Sequence, residues 1–127
     1  MGRDPNIPDA FDVYTVVTLR RPDDAPSLSD REIDELQARH LAYRAELARR
    51  GVLVVNGPLM RQSDERCRGI SIFACDLAEA ARLTDADPSV VAGWLAYDVM
   101  EWWVTAGSLA FPFAAGSVGE RRSLPQY

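Results

Sequence analysis

The sequence predicts an α+β domain of order βαββαβ, with one four-stranded antiparallel sheet and both helices on one of its faces. Three observations carry this prediction. Four short runs rich in β-branched and aromatic residues are spread along the chain. Two helical segments with capping signals fall between the first and second runs and between the third and fourth. The 127 residues, 47% hydrophobic and 26% charged, suit one soluble domain with a real core.

The first strand is Asp12 to Arg20, through Val13, Tyr14, Thr15, Val16, Val17 and Thr18, and it breaks at Pro22-Asp23-Asp24-Ala25-Pro26. Ser29 and Glu32 then have capping-box spacing, with Leu28 and Ile33 at the positions of a hydrophobic staple. Ile33, Leu36, Tyr43 and Leu47 recur on one side of the helix that follows. Glu35, Arg39, Glu46 and Arg49 fall on the other side, and Gly51 is the stop. Val52 to Asn56 reads as a strand interrupted by Gly57-Pro58, and Ile70 to Cys75 as its hairpin partner. Asp76 and Glu79 again have cap spacing ahead of Leu77 to Leu83, a second helix. Asp87-Pro88 restarts a short helical turn ending at Gly93, and Tyr97 to Val104 is the last strand. This order is the split βαβ, or ferredoxin-like, arrangement. With helices on one face only, the other apolar face needs a cover, and a face-to-face homodimer supplies one.

Both ends read as extensions. Residues 1–11 carry Pro5 and Pro8, and residues 107–127 carry Gly107, Pro112, Gly116, Gly119 and Pro125, leaving residues 12–106 as the domain proper. Leu109, Phe111 and Phe113 make the C-terminal extension apolar enough to pack on the sheet or on a partner subunit.

Composition excludes several chemistries. A net charge of −5 opposes a nucleic-acid partner. All 14 basic residues are arginine, so Schiff-base chemistry and lysine general bases are out. No Gly-x-Gly-x-x-Gly, P-loop or Gly-x-Ser-x-Gly segment is present, and one histidine with two scattered cysteines cannot assemble a standard zinc site. No cofactor is therefore expected. Cys67 and Cys75 lie at opposite ends of a strand if one strand joins them, which at about 3.3 Å per residue is too far for a disulfide. Free thiols, a polar N-terminus and no run of apolar residues long enough for a span point to a cytoplasmic protein that does not enter the membrane.

The single histidine, His40, sits on the helical wheel between Ile33 and Leu47 and so faces the core. A buried, hydrogen-bonded imidazole is the ordinary reading; a general acid or base is the functional one. Asp87 has the position of an N-cap, and an ionised cap carboxylate beside an imidazole would also fix its tautomer. Trp102 and Trp103, adjacent in a strand, must point to opposite faces, one beneath the helices and one toward the dimer or pocket side. Arg61, Arg66 and Arg68 could clamp a carboxylate, but Asp64 and Glu65 among them fit a solvated hairpin tip.

The segments His40-Leu41-Ala42-Tyr43, Gly51-Val52-Leu53, Asn56-Gly57-Pro58-Leu59, Arg68-Gly69 and Asp87-Pro88-Ser89-Val90-Val91-Ala92-Gly93 resemble, in order and spacing, those of the YciI (YCII-related) family. The resemblance covers Val13 to Gly107, and Leu28-Ser29-Asp30 and Trp102-Trp103-Val104 are similar to a subgroup with a longer first helix. It implies a ferredoxin-like fold paired into a dimeric α+β barrel, with a histidine and an aspartate, here His40 and Asp87, as the candidate catalytic pair. Tyr43, Gly57, Ser71, Trp102 and Trp103 are the candidate substrate-binding residues. The activity implied is cofactor-independent lyase or isomerase chemistry on a small organic compound, of dehydrohalogenase, dehydratase or muconolactone-isomerase type. The alternative is a non-catalytic dimeric module binding a ligand or protein, with His40 and Asp87 structural. One departure from the family pattern is Glu101, where proline is expected; facing the pocket, it would add a second carboxylate.

Overall fold

The structure, a computed structural model, describes residues 4–111. Its elements run β1 (Phe11–Arg20), α1 (Asp30–Arg49), β2 (Leu53–Pro58), β3 (Cys67–Phe73), α2 (Leu77–Asp85), α3 (Pro88–Val91) and β4 (Ala96–Thr105). The four strands form one sheet of order β2-β3-β1-β4. Every pairing is antiparallel, giving the ferredoxin-like α+β arrangement.

The local signals act as expected. Ser29 caps α1 with both halves of the capping box present: its hydroxyl accepts from the Glu32 N–H, and Glu32 accepts from the Ser29 N–H. Gly51, at φ 77°, closes the helix in a Schellman turn, where Gly51 N–H donates to Ala48 O and Val52 N–H to Leu47 O. Asp76 caps α2 by accepting from the Glu79 N–H at 2.8 Å.

Val17 pairs with Ser71 on one side and Val99 on the other, so these three side chains share a face. That face meets the helices. Its core of Val17, Leu19, Leu53 and Phe73 packs with Leu47 of α1, Ala80 and Leu83 of α2, and Leu95. The opposite face carries Val16 and Ile72, with Val55, Met100 and Trp102 exposed by 44%, 41% and 45%.

Three expectations need correction. β2 does not stop at Gly57-Pro58: Gly57 pairs with Ile70 and Pro58 with Gly69, because β2 is an edge strand and tolerates the missing N–H. β3 correspondingly begins at Cys67 rather than Ile70 and ends at Phe73, before Cys75, and both cysteines are free. Neither tryptophan lies beneath the helices. Register places Trp103 with Val13 and Trp102 with Tyr14, on opposite faces as predicted, but this end of the sheet is uncovered and Trp103 is 57% exposed. Phe111 lies edge-on to Tyr14 with ring centroids 5.4 Å apart, against the face away from the helices. Residues 112–127 of the C-terminal extension, including Phe113, lie outside the described residues.

Candidate active site

α1 turns Leu36, His40, Arg44 and Leu47 inward, one buried stripe of three- and four-residue spacings. Opposite the middle of this stripe is the start of α3. Pro88 at its first position presets the helical φ, and Asp87 caps it by accepting from the Ser89 N–H at 2.9 Å.

Asp87 is fully buried, a position a carboxylate holds only when paired and hydrogen-bonded. Three groups meet that need. Besides the Ser89 N–H, His40 Nδ1 lies 2.9 and 2.8 Å from the two carboxylate oxygens, and Arg44 Nε lies 3.9 Å from Oδ2. An ionised carboxylate only accepts, so the proton of this bond sits on His40 Nδ1, and in the neutral imidazole that leaves the lone pair on Nε2. Arg44 is 4% exposed; Nη2 donates to the Ser71 hydroxyl, and the guanidinium carbon stands 5.8 Å from the Phe73 ring centroid. Burial pushes its pKa below the ordinary value, and the Asp87 charge pulls the other way.

His40 and Arg44 line a cavity of about 640 Å³ between α1 and the β2–β3 hairpin, together with Asn56, Gly57 and Ser71. That volume is within the range of sites for small organic molecules. At its rim Arg21 lies flat on Trp94, its guanidinium carbon 3.5 Å from the ring centroid, and its Nε donates to Trp94 O at 2.7 Å. Burial, with the like charge of Arg68, lowers the Arg21 pKa to about 10. Arg68 also lines the cavity. Among the described residues no group of three or more His, Cys, Asp or Glu side chains is placed to hold a metal ion.

Of the candidate residues, the structure brings His40, Gly57 and Ser71 to the cavity wall and sets Asp87 directly behind His40. Tyr43 is not there. Its hydroxyl donates to Leu83 O at 2.7 Å and ties α1 to α2, and burial, then the Asp87 charge, raises its pKa. Trp102 and Trp103 are also away from the cavity. Glu101 is exposed and accepts from Trp103 Nε1 at 3.3 Å, so it adds no carboxylate to the site. Arg66 forks onto Asp64 at the exposed hairpin tip and Arg61 is exposed; of the three loop arginines only Arg68 reaches the cavity. Sequence reasoning missed Arg21, Trp94 and, most consequentially, Arg44. The signal for Arg44 was present in its position four residues after His40, on the same helical stripe.

The fold and the buried pair together define a ferredoxin-like α+β domain with a histidine held by an aspartate at the wall of a cavity. The YCII-related domain matches residues 13–103, and the chain belongs to that family. A similar solved structure is the 5-chloro-2-hydroxyhydroquinone dehydrochlorinase of Burkholderia phenoliruptrix AC1100 in complex with 2,5-dihydroxybenzoquinone. It is 22% identical over 72% of this chain and 93% of that one, with a TM-score of 0.50, a likeness of fold. No curated protein matches the chain significantly. Among the described residues no helix is long and apolar enough to cross a membrane.

Proposed function

We propose that this chain is a cofactor-independent lyase or isomerase of small cyclic carbonyl or phenolic compounds. The observation that supports this most is the pairing of His40 Nδ1 with both oxygens of the buried Asp87, at 2.9 and 2.8 Å. It leaves Nε2 as the basic nitrogen of a residue that lines the cavity. Nε2 takes a proton from carbon next to a carbonyl, and the C–H electron pair forms a new double bond; it then expels chloride, or expels a hydroxyl that takes the proton back from Nε2 and leaves as water, or the resulting enolate takes that proton at another carbon. Asp87 touches no cavity surface and acts as the positioning residue, holding the imidazole in one tautomer. Chlorinated hydroxyhydroquinones and muconolactone-type lactones are the substrates to try first, followed by halide release and ultraviolet absorbance. His40→Asn is expected to lower turnover by ~10²- to 10⁴-fold, the usual contribution of a positioned proton-transfer group. Undiminished turnover in this variant rejects the proposal.

The alternative, a binding module in which the pair is only a tie, has its own support: the same bonds join α1 to the start of α3. It predicts that His40→Asn costs stability and changes no reaction.

A second copy of the chain is proposed to cover the sheet face away from the helices, where Val55, Met100 and Trp102 are exposed. Trp102→Glu is expected to convert a dimer to a monomer in light scattering behind size exclusion. A wild-type chain that is already monomeric at micromolar concentration rejects this arrangement.

A further inference from the structure

We propose that Arg44 Nη1 is the anchor for an ionised oxygen of the substrate, so that the cavity takes a small ring compound bearing a carboxylate or phenolate group. The inference rests on the reading of this cavity as the site where His40 moves a proton.

The Arg44 guanidinium has three nitrogens, each in a different setting. Nε is spent on the Asp87 charge and Nη2 on the Ser71 hydroxyl. Nη1 is buried and has no hydrogen-bond partner among the described residues, on a side chain that is 4% exposed and forms part of the cavity wall. A buried cationic N–H left unsatisfied is costly, and the guanidinium always carries its charge, so the vacant donors favour an anionic acceptor over a neutral one. Ser71 and Asp87 hold the group from both sides, so little reorganisation is required when that acceptor arrives. A lysine could not replace this fork, because its three donors sit on a single nitrogen.

The surrounding charge is balanced. Arg21, Arg44 and Arg68 line the cavity with Asp34 and Glu65, and Asp87 stands behind Arg44, so arginines and carboxylates are matched three to three although the chain as a whole carries −5. Arg21 and Arg68 repel one another there, and an anion entering the cavity relieves that repulsion. His40 belongs to the same arrangement. Its Nδ1 and Arg44 Nε approach the same Asp87 oxygen, at 2.8 and 3.9 Å, so one carboxylate holds the imidazole and the guanidinium relative to each other.

The test compares benzoate with benzamide, which share a shape and differ in charge, by calorimetric titration of the full chain at neutral pH. Benzoate is expected to bind saturably and at least about ten-fold tighter than benzamide, and Arg44→Gln to abolish the preference. If that variant does not fold, nitrogen-15 resonances of the Arg44 guanidinium in the wild-type chain provide the readout, shifting with benzoate and not with benzamide. Equal affinities, a preference that survives in Arg44→Gln, unmoved Arg44 resonances, or no saturable binding of either probe overturns the proposal. His40→Asn separates it from the proton-transfer reading: this variant is expected to keep the benzoate preference. Undiminished turnover in His40→Asn with the preference intact removes the catalytic reading and leaves the anion site standing.

Discussion

Asp76 and Asp87 each open a helix by the same local device, a carboxylate accepting a backbone N–H of the first turn. Their surroundings separate them. Asp76 stands in solvent at the start of α2, where its side chain accepts the Glu79 N–H. Asp87 is fully buried, and its cap is one of three attachments, with His40 and Arg44 supplying the others. The difference teaches that a capping signal specifies where a helix begins but not what else its carboxylate will do. Burial decides that, by making every remaining lone pair a requirement to be met.

The largest way to break this comparison is to remove both carboxylates and compare the costs. Asp87→Ala is expected to lose about 3–5 kcal/mol in urea denaturation, since it leaves the buried Arg44 charge unpaired as well as an uncapped helix. Asp76→Ala is expected to lose about 1 kcal/mol, the ordinary worth of an N-cap. Equal losses at the two sites mean that the Asp87 attachments add nothing beyond the cap.

A smaller effect comes from the carboxylate between them. Asp85 accepts from the Tyr97 hydroxyl at 2.7 Å, and burial followed by this bond raises the Tyr97 pKa from 10.0 to about 12. The folded state therefore holds the phenol proton more tightly than the unfolded state. The resulting stability is present below pH 10 and lost as pH rises through about 12. Tyr97→Phe is expected to flatten that part of a denaturation-against-pH series, and an unchanged alkaline limb shows that the Asp85 contact carries no weight.

Most of the fold was legible because its signals are local. The Ser29–Glu32 box, the Gly51 stop and the Asp87-Pro88 cap are each decided within a few residues, and each stands where the sequence placed it. The His40–Asp87 bond was suggested by residue type, helical phase and family pattern together, and the geometry brings the two side chains into contact. What escaped depends on neighbours distant in sequence. Pro58 reads as a strand breaker until β2 is known to lie at the sheet edge. Alternation correctly sends Trp102 and Trp103 to opposite faces, but it cannot say where the helices stop covering the sheet. Arg44 escaped because charge usually marks an outer face, and only Asp87 and Ser71, brought in by other elements, make its burial tolerable.

The Schellman turn at Gly51 has a consequence beyond ending a helix. Only residues 50–52 separate α1, which carries His40 and Arg44, from β2, which carries Asn56 and Gly57 of the same cavity lining. The two walls are thus welded along one seam, and their spacing at that side is fixed by a backbone whose turn requires the left-handed φ of Gly51. The segment 59–66 that joins β2 to β3 has no such seam with α1, and it supplies Leu59, Met60, Gln62 and Glu65 to the cavity lining.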